Sequence, residues 1–279
     1  MNKQKVVKVI CVIILILGIG ILLYPGISQY LYEKNSSKAI SSYDHSVDKL
    51  KEEEIQKILD DAHQYNEEFY KTRKCLDRYW ATLNVNGTGM MGYIVIPKLD
   101  TTIPIYHGTQ EYVLQSGIGH YEDSSMPVGG NNTHSVLTGH TGLSTADLFS
   151  DIDKLKIGDM FFIKVLDKTF AYTVDQILVV EPNDMEAIRI QDDKDYVTLI
   201  TCTPYGVNTH RLLVRGERTE WNDETDNIEN VVSTLSFWER LPVQYRHILI
   251  GILFIIIFIV TVKIIQVIIK KTKTKHHKR

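Results

Sequence analysis

The sequence predicts a mainly β fold: a closed, antiparallel-rich barrel of seven to eight strands with short helices, an N-terminal helical arm and two flanking transmembrane helices. Three observations predict it. From Met91 onward, short runs rich in Val, Ile, Tyr and Phe alternate with turns built on Gly, Pro, Asn and Asp. Only single helical turns fit between those runs. Two uniformly apolar stretches bracket the whole.

The first apolar stretch, Val9 to Tyr24, follows Lys3, Lys5 and Lys8. It reaches across a hydrocarbon core of roughly 30 Å when Val6 and Val7 join it and Lys8 snorkels to the interface. No small-residue cleavage site follows, so residues 1–24 read as an uncleaved signal anchor. Residues 25–89 form an extracellular arm. Within it Tyr30 to Tyr43 is polar and reads as irregular, whereas Ile55, Ile58, Leu59, Ala62 and Phe69 recur at helical spacing and predict an amphipathic helix. A helical or irregular piece, Thr72 to Leu83, leads to the Gly/Asn cluster Asn84 to Gly89, a linker or tight turn.

The barrel is assigned to 90–220. Its candidate strands are Gly92–Pro97, Thr102–Tyr106, His134–Thr138, Asp159–Leu166, Phe170–Val180, Tyr196–Cys202 and Arg211–Arg215, with a hairpin turn at Asp167–Lys168. Single helical turns fit near Glu111–Gln115, Ala146–Leu155 and Asp184–Ile190. A juxtamembrane segment, 221–247, precedes a second span at 248–269 and a basic tail at 270–279.

Charge orients this plan. The two apolar ends carry basic residues and no acidic ones, so both termini read as cytoplasmic and the barrel as extracellular. Outside those ends lie 21 basic against 34 acidic residues. A surface that negative repels phosphate backbones and disfavours nucleic acid as a partner, while the tail suits anionic headgroups of the lipid bilayer. Cys75 and Cys202 are the only cysteines outside the first span, too few for a disulfide framework. No Cys/His cluster has zinc-ligand spacing, and no metal or cofactor is expected.

Chemistry concentrates at strand ends. Cys202 closes the run Tyr196-Val-Thr-Leu-Ile-Thr-Cys202, and Arg211 follows on the next strand after a turn-rich loop. His140 ends Ser135-Val-Leu-Thr-Gly-His140. A thiol needs a base or cation to act as thiolate, and attack on a carbonyl builds oxyanion charge that a permanently charged guanidinium can offset. Cys202, His140 and Arg211 supply one group for each demand of acyl transfer. His134, His120 and His210 compete for the base role, although His210 abuts Arg211 and points to the other face of a regular strand.

Thr198-Leu-Ile-Thr-Cys202 with Arg211 resembles the sortase signature, and His134-Ser-Val-Leu-Thr-Gly-His140-Thr-Gly-Leu143 is similar to the sortase histidine segment. Gly92 to Pro97 and Ile103 to Gly108 resemble the opening strands of that barrel. The loop Cys-Thr-Pro-Tyr-Gly206 and the two spans are most like class C, the pilin-polymerising sortases. The resemblance implies a sortase-like barrel, attack by Cys202 on the Thr–Gly bond of an LPxTG-like sorting signal, and an acyl-thioester. It further implies proton transfer by His140, substrate and oxyanion contacts from Arg211, and transfer to an amine such as a pilin lysine. The implied partners are pilin or surface-protein precursors carrying that C-terminal signal.

Many class C members carry an Asp-Pro-aromatic lid that plugs the site; the matching stretch, about Lys71 to Leu83, has no proline. Either the lid is absent or Cys75, Asp77, Tyr79 or Trp80 takes its part, and Cys75 could mask Cys202 through a reversible disulfide. The rival functions are a housekeeping sortase acting on peptidoglycan, an exported cysteine peptidase, and a membrane-tethered binding module with a structural Cys202.

Overall fold

A computed structural model describes residues 3–143, 145–222, 226 and 228. The chain divides into two compact units, Met1–Thr234 and Leu235–Arg279. The second, with the expected span at 248–269 and the basic tail, lies outside the described residues.

Eight strands build the first unit: β1 (Met90–Ile96), β2 (Thr101–His107), β3 (Ile118–His120), β4 (Thr133–Thr138), β5 (Met160–Val165), β6 (Lys168–Val180), β7 (Asp195–Thr203) and β8 (His210–Thr219). They close into a barrel in the order β1-β2-β3-β4-β7-β8-β6-β5. Two pairings, β2 with β3 and β4 with β7, are parallel, and the other six are antiparallel. Seven strands match expected runs; β3 does not. At three residues it is too short to show alternation, and its pairing with β2 and β4 defines it.

Alternation sorts the strands into two faces. Ile94, Ile105, Phe161, Ile163, Val197 and Leu199 point inward and are fully buried in one apolar cluster. Gly216 on β8 gives Phe161 its place, because a Cβ there would lie 2.6 Å from that ring. Single helical turns occur at Glu111–Leu114 (α3), Ile152–Lys154 and Glu186–Ile188, inside the three stretches where the sequence places them.

The arm differs from expectation in one respect. Tyr30 to Tyr43 is not irregular: a single helix, α1, runs from Lys3 to Val47 and passes through Pro25. Tertiary packing overrides the polar composition there. Tyr43 and Val47 are buried against the barrel, where the Tyr43 hydroxyl donates to Met91 O at 3.0 Å and accepts from Leu166 N at 2.9 Å. The amphipathic helix is α2, Glu52–Thr72, burying Ile55, Leu59, Ala62, Tyr65, Asn66 and Phe69. Arg73 ends it in the left-handed conformation, its N–H bonded to Phe69 O.

Among the described residues no helix is long and apolar enough to cross a membrane. The stretch expected to form the first span, Val9 to Tyr24, falls on α1. There the side chains of residues 9–12, 14–16, 19 and 22 lie outside the described residues.

Candidate active site

The β4–β7 and β7–β8 ladders set the site. In the parallel pair Val136 faces Thr198 and Thr138 faces Ile200. Pairing continues one step further, since Gly139 N donates to Ile200 O at 3.1 Å and Thr201 Oγ1 donates to Gly139 O at 2.7 Å. Two residues beyond the last rung come His140 after β4 and Cys202 on β7. On the other side of β7, Cys202 is directly paired with Arg211. Neighbouring strands lie roughly 4.8 Å apart, so the three backbones form one row across adjacent strand ends.

Period-two alternation puts their side chains on the outer face of the barrel, opposite the core residues Leu137, Leu199 and Leu212. All three line a cleft of about 380 Å³. Val136, Thr138, Ile200 and Leu213, on the same face of the same strands, make its largely apolar floor. Thr109, Leu114 and Tyr121 form one wall; Val180, Pro182, Met185 and Ile188, in and after the end of β6, form the other.

The loop carrying His140 is fixed from two sides. Phe149 N donates to His140 O at 3.1 Å, and the Phe149 ring packs so closely on Gly139 that a Cβ would approach to 2.9 Å. Tyr205, from the loop after Cys202, lies over Gly142. His140 Nε2 makes no hydrogen bond and is shielded from solvent; the nearby carboxylate is Glu111, with Oε2 at 3.4 Å. The Arg211 guanidinium donates to His210 O at 3.0 Å and Asn208 O at 3.3 Å, which holds it against its own turn.

The competing histidines have structural surroundings. His120 is wholly buried between the Tyr79 hydroxyl (3.0 Å) and Ser125 O (2.8 Å), and burial lowers its pKa to about 3. His134 lies between Arg189 O at 3.0 Å and Thr198 Oγ1 at 2.7 Å, and burial takes it down to about 4. His210 pairs with Glu181 at 3.3 Å and does not line the cleft. Among the described residues His140 is the one imidazole in the cleft wall.

None of residues 71–83 lines the cleft. Trp80 packs instead on Tyr79, with ring centres 5.1 Å apart, and on Gly108. Cys75 and Cys202 are both free thiols; Cys75 is exposed, with Sγ 3.7 Å from the Tyr65 hydroxyl, and desolvation pushes its thiol up. The described residues contain no group of three or more His, Cys, Asp or Glu able to hold a metal ion. Sequence reasoning missed three parts of the site. They are the wall after β6, the Glu111 carboxylate, and the strap from Thr201 to Gly139, although Thr201 sits beside the cysteine within the quoted motif.

This barrel, with a thiol, an imidazole and a guanidinium in one cleft, holds the groups of a cysteine enzyme of acyl transfer. The family profile described as "Sortase domain" matches residues 94–219. Sortase C1 of Streptococcus agalactiae is 48% identical, and the match covers 66% of this chain and 100% of that one with a TM-score of 0.64. The Clostridium perfringens sortase C solved with the C-terminal cell wall sorting motif is 46% identical, with coverage of 66% and 100% and a TM-score of 0.61. Sortase A of Bacillus anthracis is 25% identical over 221 residues, 78% of this chain and 96% of that protein. The chain belongs to the sortase family and is most like its class C members.

Proposed function

We propose that this protein is a membrane-anchored pilin-type sortase whose cleft takes an LPxTG-like sorting signal. The observation that carries the reading is the placement of Cys202, His140 and Arg211 at the head of one cleft with an apolar floor. Val136, Ile200 and Leu213 offer the floor a Leu-Pro segment would need. The Cys202 thiolate attacks the threonine carbonyl carbon, and Arg211 offsets the charge that develops on its oxygen. As the Thr–Gly C–N bond breaks, the His140 imidazolium gives its proton to the leaving glycine amine, leaving a thioester on Cys202. An acceptor amine, most readily a pilin lysine given the class C likeness, attacks that thioester. The C–S bond breaks, the sulfur departs as thiolate, and His140 takes the proton back.

Anchoring rests on the residue pattern: apolar stretches at 9–24 and 248–269, each adjoining lysines, with both termini cytoplasmic and the barrel outside. The large apolar side chains of Ile13, Leu17, Ile21, Leu23 and Ile27 on α1 are unburied, which suits a lipid-facing role. Incubating the full-length protein in detergent with an LPxTG-type peptide, with and without an added amine, tests the enzymatic reading. Amine-dependent ligation and a Cys202 adduct by intact mass, both lost in Cys202→Ala, are expected. Cleavage indifferent to amine identifies a hydrolytic peptidase, and absence of any adduct removes the reading.

A further inference from the structure

We propose that Glu111 receives the incoming acceptor as a primary ammonium ion and presents it to His140. The inference rests on the transpeptidase reading above and defines the charge state of its second substrate.

The geometry has an order. Along the sheet, β4 carries the approach to His140, β7 carries Cys202 and β8 carries Arg211. Glu111 opens α3, between β2 and β3, on the β4 side of that row and therefore at the opposite end from Arg211. The site thus has a guanidinium end, suited to a developing oxyanion, and a carboxylate end, suited to a cation. One carboxylate oxygen is engaged: Glu111 Oε1 accepts from Gln115 Nε2 at 3.0 Å. The other, Oε2, stands 3.4 Å from His140 Nε2 without forming a hydrogen bond to it.

Two roles compete for such a carboxylate. An acid that orients a catalytic imidazole is characteristically buried and hydrogen-bonded to it, as in the serine protease triad. Glu111 is neither; its side chain is 66% exposed, and an exposed ion pair is worth only about 0–1 kcal/mol. An exposed carboxylate with one oxygen uncommitted is better placed to take a mobile cation, through a charge-assisted hydrogen bond. The acceptor arrives as that cation, because a lysine amine with a reference pKa of about 10.4 is protonated near neutrality. At 3.4 Å apart, Oε2 and Nε2 are too close to hold a nitrogen between them at about 2.8 Å from each, so the exposed Glu111 side chain must swing outward to admit it.

The protons then balance. An ammonium must shed two protons to become an amide N–H. The first passes to water, leaving the neutral amine held beside Glu111. The second passes to neutral His140 as the C–N bond forms and the C–S bond to Cys202 breaks, which restores thiolate and imidazolium together.

The experiment uses full-length protein and an LPxTG-type peptide, with three nucleophiles: the side-chain amine of Nα-acetyl-lysine amide, the α-amine of triglycine, and hydroxylamine, which is uncharged near neutrality. Glu111→Gln should raise KM for a charged amine about tenfold, the factor that ~1.4 kcal/mol represents. Its kcat should change less, and its use of hydroxylamine less than about twofold on the same scale. Glu111→Asp should recover most of the loss, and Glu111→Lys should deepen it. Loss with the lysine amine alone assigns the site to a side-chain ammonium; loss with triglycine alone assigns it to a chain-terminal one. Equal loss for charged and uncharged nucleophiles would make Glu111 a positioner of His140 and overturn the proposal, as would no loss at all. If the wild type forms no thioester, the transpeptidase reading itself falls, which is a different result from thioester formation without charge selectivity.

Discussion

At the scale of single residues, the site depends on two strand ends staying level with each other. His140 lies beyond the last β4 rung, so its backbone position relative to Cys202 rests on the Thr201 Oγ1 to Gly139 O bond and the adjoining Gly139 N to Ile200 O bond. Thr201 is buried, and Thr201→Val keeps its shape while leaving the Gly139 carbonyl without that donor. The cost to stability should be about 1–3 kcal/mol. The cost to catalysis should be larger in proportion, on the order of 10²-fold in kcat/KM, because misplacing a catalytic group by about 1 Å has that effect. Thr201→Ser keeps the donor and should recover most of the rate. Equal rates for the valine and serine variants would show that the strap does not set the register. The three reactive residues were legible in the sequence because each stands at one end of a strand-like run: His140 and Cys202 at the close of theirs, Arg211 at the opening of the next. Glu111 was not: nothing in the spacing of residues 111 and 140 brings them together until α3 is placed beside β3.

At the scale of elements, the arm is part of the folded body. Asn66, in the buried face of α2, mimics a strand: its Nδ2 donates to Met126 O at 3.1 Å, and its Oδ1 accepts from Met126 N at 2.6 Å. Asn66→Ala leaves the buried Met126 N–H without this acceptor, while Met126 O keeps its bond from Val128 N at 2.8 Å. It should destabilise by about 1–3 kcal/mol, the cost of one abandoned buried group. Hydrogen exchange should show lost protection centred on α2, and unchanged protection there would refute the anchoring role. The apolar stripe of α2 was readable at period 3.6, but the helical course of residues 30–43 was not. Ser, Lys and Asn carry no periodic signal, and Tyr43 gains its partners from β1 and the end of β5, far away in sequence. β3 escaped for the same reason, since long-range pairing alone distinguishes its three residues from loop.

At the scale of the whole molecule, seven runs of alternation predicted a barrel, but its closure depends on pairings such as β6 with β8 and β1 with β5 that no local pattern specifies. The arm belongs to that closed body. Nine apolar residues between Tyr43 and Leu83 are buried, and even at about 1 kcal/mol each they match the 5–15 kcal/mol that holds a domain together. A chain truncated before Met90 should therefore aggregate or melt far below the intact protein by calorimetry, where removal of a detachable lid would leave melting unchanged. Acid is the other stress to which this fold is sensitive. Burial holds His120 to about 3 and His134 to about 4, against about 6.5 for an exposed imidazole. Below pH 6.5 the unfolded chain binds protons that the folded chain refuses, so stability is complete above 6.5 and declines as pH falls towards 4. Between pH 6.5 and 5 each histidine should remove about 2 kcal/mol. Denaturant melts at pH 7 and pH 5 measure the sum. His134→Gln, whatever its absolute stability, should remove about half of the pH slope; an undiminished slope in that variant would place the acid sensitivity elsewhere in the molecule.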